Sequence, residues 1–357
     1  MAIQQATAVT GRRTALQGVF GQADILQVNG IGKTFPIRDM LGRRKGGVSA
    51  VDGVSFALPK QGTLGIVGES GCGKSTLARL LMRLIEPDRG EVNYEGTNLL
   101  SLKGTAMKKA RTKMQMVFQN PYSSLDPQMS VLDNVAFPLL ANGAGKTQAR
   151  ERAHHYLDAV GLSRAHADRL PGSLSGGQRQ RVAIARALIL EPDIVIADEA
   201  VSALDKSVQA QVLNLFQELK RELSLSLIFI SHDLHVVEYM SDEVMVMYLG
   251  RVVEKGPTAR VFGAAAHPYT KALLASAPSV DIAERATAVS EEEGALKGDL
   301  PSPLNPPSGC RFRTRCPHAM ARCAEEAPAL RELAPGHTAA CFLLVGDTPA
   351  LSGTPAI

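Results

Sequence analysis

Nine consecutive residues, Gly68-Glu69-Ser70-Gly71-Cys72-Gly73-Lys74-Ser75-Thr76, are built to hold phosphate. Glycines let a backbone curl so that successive N–H groups face phosphate oxygens, and a helix N-terminus behind them adds its positive end. Lys74 brings a point charge to the outer phosphates of a nucleoside triphosphate, and Ser75 brings a hydroxyl to Mg²⁺. The apolar run Leu64–Val67 before the loop and the helical pattern TLARLLMRLI after it supply the strand–loop–helix context such a motif needs. Downstream, IVIADE ends in Asp198 and Glu199. Asp198 suits the shell of a Mg²⁺ ion, and Glu199 suits polarising a water that attacks phosphate. Taken singly, a chance glycine-rich turn is the lesser reading of the first segment and an ordinary helix cap that of the second. Together they point to ATP and Mg²⁺.

A second concentration of chemistry lies near the end of the chain. Cys310, Cys316, Cys323 and Cys341 follow one another with gaps of five, six and seventeen residues. Four thiolates in a loop-rich segment suit Zn²⁺ or an iron–sulfur cluster, both of which accept four cysteine ligands. The gaps match neither the pairs of a zinc ribbon nor the tight ferredoxin run, so spacing leaves the metal open. Two disulfides, in any of three pairings, and unligated thiols are the other readings. Cys72 is set apart, because its loop faces phosphates. Arg311, Arg313 and Arg315 either offset thiolate charge or form an exposed basic loop.

These groups need a scaffold. TLGIV, DIVIAD and LSLIFI are continuous apolar runs, each stopping at a polar motif. Continuous rather than alternating apolarity predicts strands buried on both faces, an α/β fold with a parallel sheet covered by helices. Ligands of such sheets sit beyond the carboxyl ends of the strands. EVMVMYLGRVVEKG reads as two strands around a turn at Gly250. After about Val261 proline, glycine and alanine rise, which marks a boundary. The net charge of +4 over 357 residues does not argue for nucleic acid, and with no Trp and 4% aromatics there is no stacking platform for single strands. No window of 18 apolar residues and no secretion leader appear, so the expected location is cytosolic, where structural disulfides are rare.

Between the two nucleotide motifs lies Leu174-Ser175-Gly176-Gly177-Gln178, opening the helical run RQRVAIARALIL. With this segment in place the chain resembles the ATP-binding subunits of ABC transporters. The order fits throughout: phosphate loop, Gln119 after MQMVF, LSGGQ, the acidic pair, SALD and His232. The resemblance implies an ABC-type P-loop ATPase over residues 23–260 with a helical subdomain at about 120–185. It implies contacts to ATP from Phe35, on the adenine ring, and from Gly68 to Thr76, Gln119, Asp198 and Asp205. Ser175, Gly176, Gly177 and Gln178 would face the phosphate held by a second subunit. Glu199, His232, Gln119 and Lys74 take the catalytic roles, and Ser75, Gln119 and Asp198 those around Mg²⁺. Ala200 stands where many relatives have proline.

VFQNPYSSLDP, HPYTKALLASAP and LPSPLNPPSGCRFRTRC narrow the resemblance to dipeptide and oligopeptide importer ATPases, over about residues 24–343. The chain is most similar to the second of two paired ATPases of a dipeptide importer. That implies a small, loop-rich cysteine-containing domain at 261–345, with loose ends at 1–22 and 346–357. It further implies a [4Fe–4S] cluster on the four late cysteines, ahead of Zn²⁺, stapling that domain rather than doing redox chemistry. Implied partners are a paralogous ATPase in a heterodimer and two membrane permease subunits met by Ser123–Leu140. A separate binding protein would choose the cargo, and the chain would sit peripherally on the cytoplasmic membrane face. Peptides, glutathione or a nickel chelate remain open as cargo. Two rival readings are a soluble ABC ATPase acting on nucleic acid and a regulatory ATPase sensing iron or redox state. A single cassette without sustained heptads speaks against the first. Residues 36–49, PIRDMLGRRKGGVS, read as a solvated hairpin, with anionic headgroups as an alternative neighbour.

Overall fold

The computed structural model describes residues 24–40, 42–276 and 299–344. The expected loose ends at 1–22 and 346–357 lie outside the described residues. The chain enters through a long antiparallel hairpin, β1 (Asp24–Arg38) and β2 (Arg44–Pro59), then runs into β3 (Thr63–Val67). β4 (Arg89–Tyr94) and β5 (Thr97–Asn98) return to the hairpin and make a four-stranded sheet of order β2-β1-β4-β5. Residues 36–49 form the outer part of that hairpin. Its turn is closed by Asp39 and Arg43, where the Asp39 side chain accepts from the Arg43 N–H at 2.8 Å.

β3 belongs to the larger sheet. It is joined there by β6 (Met114–Val117), β7 (Ile194–Asp198), β8 (Ser226–Ile230), β9 (Glu243–Tyr248), β10 (Arg251–Pro257), β11 (Arg331–Ala334) and β12 (His337–Ala339). The order is β11-β12-β10-β9-β3-β8-β7-β6, parallel from β9 to β6 and antiparallel beyond it. Every residue of β3, β7 and β8 is buried, as continuous apolar runs predict. Strand side chains alternate between faces, and here the two faces feed two cores. Ile194, Ile196, Ile228 and Ile230 join the core under the hairpin sheet, while Val195, Ala197, Leu227 and Phe229 join the core under the helical layer. Asp198 pairs with Ile230 across β7 and β8, so the functional segments leave the sheet along one edge.

The helices follow from the same logic. α1 (Lys74–Leu81) springs from the phosphate loop, and α2 (Gly104–Lys113) leads into β6. Between β6 and β7 stand α3 (Pro121–Ser124), α4 (Val131–Ala141), α5 (Lys146–Ala159) and α6 (Gly176–Leu188), in the stretch where the sequence places a helical subdomain. Val131, Val135, Ala149, Ala153 and Val182 pack these helices together. α7 (Lys206–Leu223) and α8 (Leu234–Met240) connect the central strands, and α9 (Thr258–Gly263) and α10 (Pro268–Ala275) follow β10. No described helix is long and apolar enough to cross a membrane.

The segment beyond residue 260 is knitted into this body. β12 pairs with β10 through Glu254 with Ala339 and Lys255 with Thr338. The fully buried Glu254 accepts from Ala266 N, His267 N and the His337 ring. Phe312 sits against Tyr248, Tyr269 and His267 in the helical-side core. A boundary near 260 therefore divides a continuous sheet and a shared core.

Candidate nucleotide site and cysteine pocket

The phosphate loop is the turn between β3 and α1, and its neighbours leave it little freedom. Gly73 has φ +105°, and a Cβ there would come 2.1 Å from Ala50 O of β2. Only glycine fits both the backbone conformation and the close approach. Gly250, at the turn between β9 and β10, donates to Cys72 O at 2.8 Å and accepts from Asp52 N. The Lys74 ammonium is buried and donates to Gly68 O at 2.7 Å and Glu69 O at 3.0 Å. The Cys72 sulfur lies 3.8 Å from Lys74 Nζ. The residue is 1% exposed in the apolar core, and burial pushes its thiol pKa up. It belongs to the loop through its backbone, and it stays apart from the other cysteines because its side chain is a core residue.

Two acids complete the sheet edge. Asp198 Oδ1 accepts from Ser75 Oγ at 2.9 Å, which brings together the hydroxyl and carboxylate expected around Mg²⁺. Burial pushes the Asp198 carboxyl up, partly countered by the Ser75 bond, and the neighbouring Glu199 charge pushes it further. Such an acid pair favours a cation beside it. Glu199 has φ +48°, a left-handed conformation that costs a non-glycine residue about 1–3 kcal/mol and survives where neighbours over-determine it. Its N–H donates to Ile230 O, and Ser202 donates to its carbonyl through both N–H and hydroxyl. The side chain then accepts from Gln119 Nε2 at 2.8 Å and lies 3.5 Å from His232 Nδ1. Ser75, Gln119 and the adjacent pair Asp198–Glu199, three segments distant in sequence, meet at the carboxyl end of the sheet, with His232 beside them. Ala200 is buried in the helical-side core, where a small residue suffices.

The remaining predicted contacts stand elsewhere. Ser175 caps α6 in a capping box: its hydroxyl accepts from Gln178 N, and Gln178 Oε1 accepts from Ser175 N. Gly176 and Gly177 form the first turn. Asp205 occupies the N-cap position of α7 without a side-chain cap bond and is exposed. Among the described residues no hydrogen bond or ion pair joins Ser175, Gln178 or Asp205 to the phosphate loop. Phe35 lies on the hairpin with its ring at the surface and Lys33 Nζ 5.9 Å from the ring centre.

Cys310, Cys316, Cys323 and Cys341 line one small pocket together with His267 and Phe312. Gly309 has φ +62°, and a Cβ there would come 2.4 Å from Cys323 O, the atom that accepts from Cys310 N. Burial pushes the Cys310 and Cys316 thiols up and that of Cys341 to about 11, and in each case other cysteines of the pocket add to the rise. None of the five cysteines is in a disulfide. Among the described residues no three His, Cys, Asp or Glu side chains close on a single metal-ion position.

Two arginines in this segment correct the sequence reading. Arg311 and Arg315 are neither an exposed basic loop nor partners of the thiols. Their side chains are only 10% and 7% exposed, and they reach back to the nucleotide side of the molecule. Arg311 Nη2 donates to Asp52 Oδ2 at 2.6 Å, beside Arg251 and Arg89 on the same carboxylate. Burial pushes Asp52 up, but these arginines, Arg251 foremost, more than reverse this and hold it low, while burial brings Arg311 down to about 10. Arg315 Nη1 donates to both carboxylate oxygens of Glu69 at 2.9 and 3.0 Å. Tyr269 OH accepts from Glu69 N at 3.0 Å. Sequence reasoning missed both contacts to the phosphate loop. Arg315 stood out only as one of three alternating arginines, and Tyr269 only as part of HPYTKALL.

Comparisons with known proteins agree with this geometry. A family model described as ABC transporter matches residues 51–202, and one described as oligopeptide/dipeptide transporter, C-terminal region, matches 253–323. The dipeptide transport ATP-binding protein DppF of Escherichia coli is 50% identical over 327 residues, 91% of this chain and 96% of that protein. The oligopeptide transport ATP-binding protein AppF of Bacillus subtilis is 47% identical over 325 residues, 90% of this chain and 98% of that protein. Among solved structures, the ADP- and Pi-bound post-hydrolysis dimer of the ATP-binding cassette MJ0796 aligns with a TM-score of 0.59 at 28% identity. It covers 65% of this chain and 98% of its own.

Proposed function

Because the chain belongs to the ABC transporter family, among the ATP-binding subunits of dipeptide and oligopeptide transporters, we propose that it hydrolyses ATP to power peptide import through a membrane transporter. The observation that carries this is the meeting of Ser75 with Asp198 and of Gln119 and His232 with Glu199 at the sheet edge beside the phosphate loop. Glutathione or a nickel chelate is the alternative cargo. The test is reconstitution with two permease subunits and a binding protein, followed by a screen of ligands. Peptide-stimulated ATP hydrolysis is expected, and hydrolysis stimulated by no peptide would overturn the assignment.

The contacts at the sheet edge support the following roles. The loop from Gly68 to Thr76 cradles phosphate with its N–H groups, and Lys74 exchanges its carbonyl partners for phosphate oxygens. Ser75 and Asp198, with Gln119 near, would hold Mg²⁺, which offsets charge on the outer phosphates. Glu199 accepts a proton from the attacking water, Gln119 holds the Glu199 carboxylate in place, and His232 reaches the terminal phosphate. Phe35 offers a ring face to adenine. Ser175 through Gln178 and Asp205, which among the described residues make no hydrogen bond or ion pair with this chain's own loop, would serve the phosphate loop of a second ATPase subunit, a paralogue in a heterodimer. Tyr122, Phe137 and Leu170 expose apolar rings and chains in the helical layer, which supports residues 123–140 as the seat of the permease contact. In that assembly the chain lies peripherally on the cytoplasmic face of the membrane. The ATPase unit then spans about 23–260, with the helical subdomain at about 120–185 and the transporter C-terminal segment at 261–345.

We propose that the cysteine pocket holds a [4Fe–4S] cluster, with Zn²⁺ as the alternative: its four thiols share one lining, and such a cluster takes one thiolate per iron. Bound there, it would cross-link a segment with little core of its own. Anaerobically purified protein should carry iron and sulfide and absorb near roughly 400 nm, as such clusters do, and Cys316→Ser should lose both. Stoichiometric zinc, or no metal, would overturn this assignment.

A further inference from the structure

Two links between the segment beyond residue 260 and the ATPase converge on one residue of the phosphate loop. Glu69 has its carboxylate held by Arg315 at 2.9 and 3.0 Å, its N–H bound to Tyr269 OH at 3.0 Å, and its carbonyl bound to Lys74 Nζ at 3.0 Å. All three polar groups are therefore fixed, two of them from beyond residue 260. The clamp itself is rigid. The Arg315 side chain is 7% exposed and Tyr269 is fully buried. Tyr269 packs on Tyr248 at 4.7 Å and on Phe312 at 5.4 Å between ring centres, and the Arg315 guanidinium lies 6.0 Å from the centre of Tyr248. Phe312 and Cys316 both line the cysteine pocket, and Arg315 immediately precedes Cys316.

A carboxylate inside a phosphate loop works against an incoming triphosphate unless its charge is compensated. Arg315 provides that compensation and at the same time fixes the direction of the loop's first turn. We propose that Arg315 and Tyr269 are positioning residues of the phosphate-binding loop, so that the cysteine-bearing segment completes the ATP site from within the same chain. Without them the loop samples conformations that do not bind, and apparent affinity falls with the fraction that remains competent. The inference rests on reading Gly68–Thr76 as the ATP loop.

The test uses the full chain, with ATP binding measured on the purified protein and hydrolysis measured in the assembled transporter. Arg315→Ala should raise both Kd and KM for ATP about fivefold to tenfold by lowering the competent fraction to match, with kcat at saturating ATP within about twofold. Removing the uncompensated charge should relieve the electrostatic part of the defect, so Glu69→Gln combined with Arg315→Ala should give a KM clearly below that of Arg315→Ala alone. An arginine that only held the C-terminal segment together would show no such relief. Tyr269→Phe, which keeps the ring and removes the acceptor, should raise KM by a smaller factor with the melting temperature nearly unchanged. If Arg315→Ala does not accumulate as folded protein, Arg315→Lys should still give an intermediate rise in KM at unchanged kcat, and an unmoved KM there overturns the proposal. So does a KM in Arg315→Ala equal to that of the native chain, or a rise that Glu69→Gln leaves in place. Lys74→Ala keeps the two readings apart. Loss of ATP binding in that variant alongside an unmoved KM in Arg315→Ala overturns the role of Arg315 alone, and a Lys74→Ala protein that still binds ATP overturns both.

Discussion

Glu199 shows how much of the site is decided one residue at a time. Its left-handed backbone, its bond to Ile230 O and its two side-chain neighbours aim a single carboxylate at the space beside the phosphate loop. Glu199→Gln keeps the shape and the Gln119 contact distance but cannot accept a proton. Single-turnover hydrolysis should slow by about 10²–10⁴, the usual worth of a general base, while ATP binding persists; filter binding and phosphate release measure the two. Residues of this kind were legible in the sequence, because the phosphate loop and the acidic pair each concentrate their chemistry in a few consecutive positions. Arg315 and Tyr269 were not. Their contacts to Glu69 span 246 and 200 positions, and nothing local to either distinguishes a clamp from a surface arginine or a core tyrosine.

At the level of elements, α10 illustrates a buried cap with a pH signature. His267 accepts from Tyr269 N through Nδ1 and is buried beside Glu254, whose carboxylate also meets His337. Burial holds the His267 imidazole down at about 3, against an ordinary value of 6.5. Between those values the unfolded chain binds the extra proton, so this contribution to stability is present above about pH 6.5 and is lost as pH falls toward 3. Going from pH 7 to pH 5 should cost up to about 2 kcal/mol from this group, read as a shift in urea midpoint. His267→Asn keeps a side-chain acceptor at the cap and removes the titration, so its midpoint should fall less over that interval. Of the elements themselves, β3, β7 and β8 were plain in the sequence because both of their faces are buried. β11 and β12 were not. RELAPGHTA has the look of a loop and becomes sheet only because β10 offers it a free edge.

For the whole molecule, the lack of any hydrogen bond or ion pair, among the described residues, from Ser175 or Asp205 to the chain's own phosphate loop sets the expectation for assembly. Purified alone, the chain should be monomeric or weakly dimeric and hydrolyse ATP slowly. Mixing with a paralogous ATPase subunit should raise the rate, and sedimentation with a steady-state ATPase assay measures both. A tight homodimer that drives transport unaided would contradict the two-subunit assignment. The α/β class and the placement of ligands at one sheet edge were readable from the apolar runs. The extent to which the last third of the chain closes the first was not, because a sequence read locally shows a change of composition at residue 261 and not the strands that cross it.

The long reach of the Arg315–Glu69 and Arg311–Asp52 pairs also sets a schedule. A ribosome makes the phosphate loop and Asp52 of β2 early, yet Arg315, which holds Glu69 of the loop, emerges 246 positions after it, and Arg311 emerges 259 positions after Asp52. At about 5–20 residues per second that interval is roughly 12–50 s. Throughout it the nascent chain carries a phosphate loop with an uncompensated carboxylate, and so a poor grip on the cell's abundant nucleotide. On the proposed role of Arg315, the subunit would become an effective ATP binder only as its synthesis finishes.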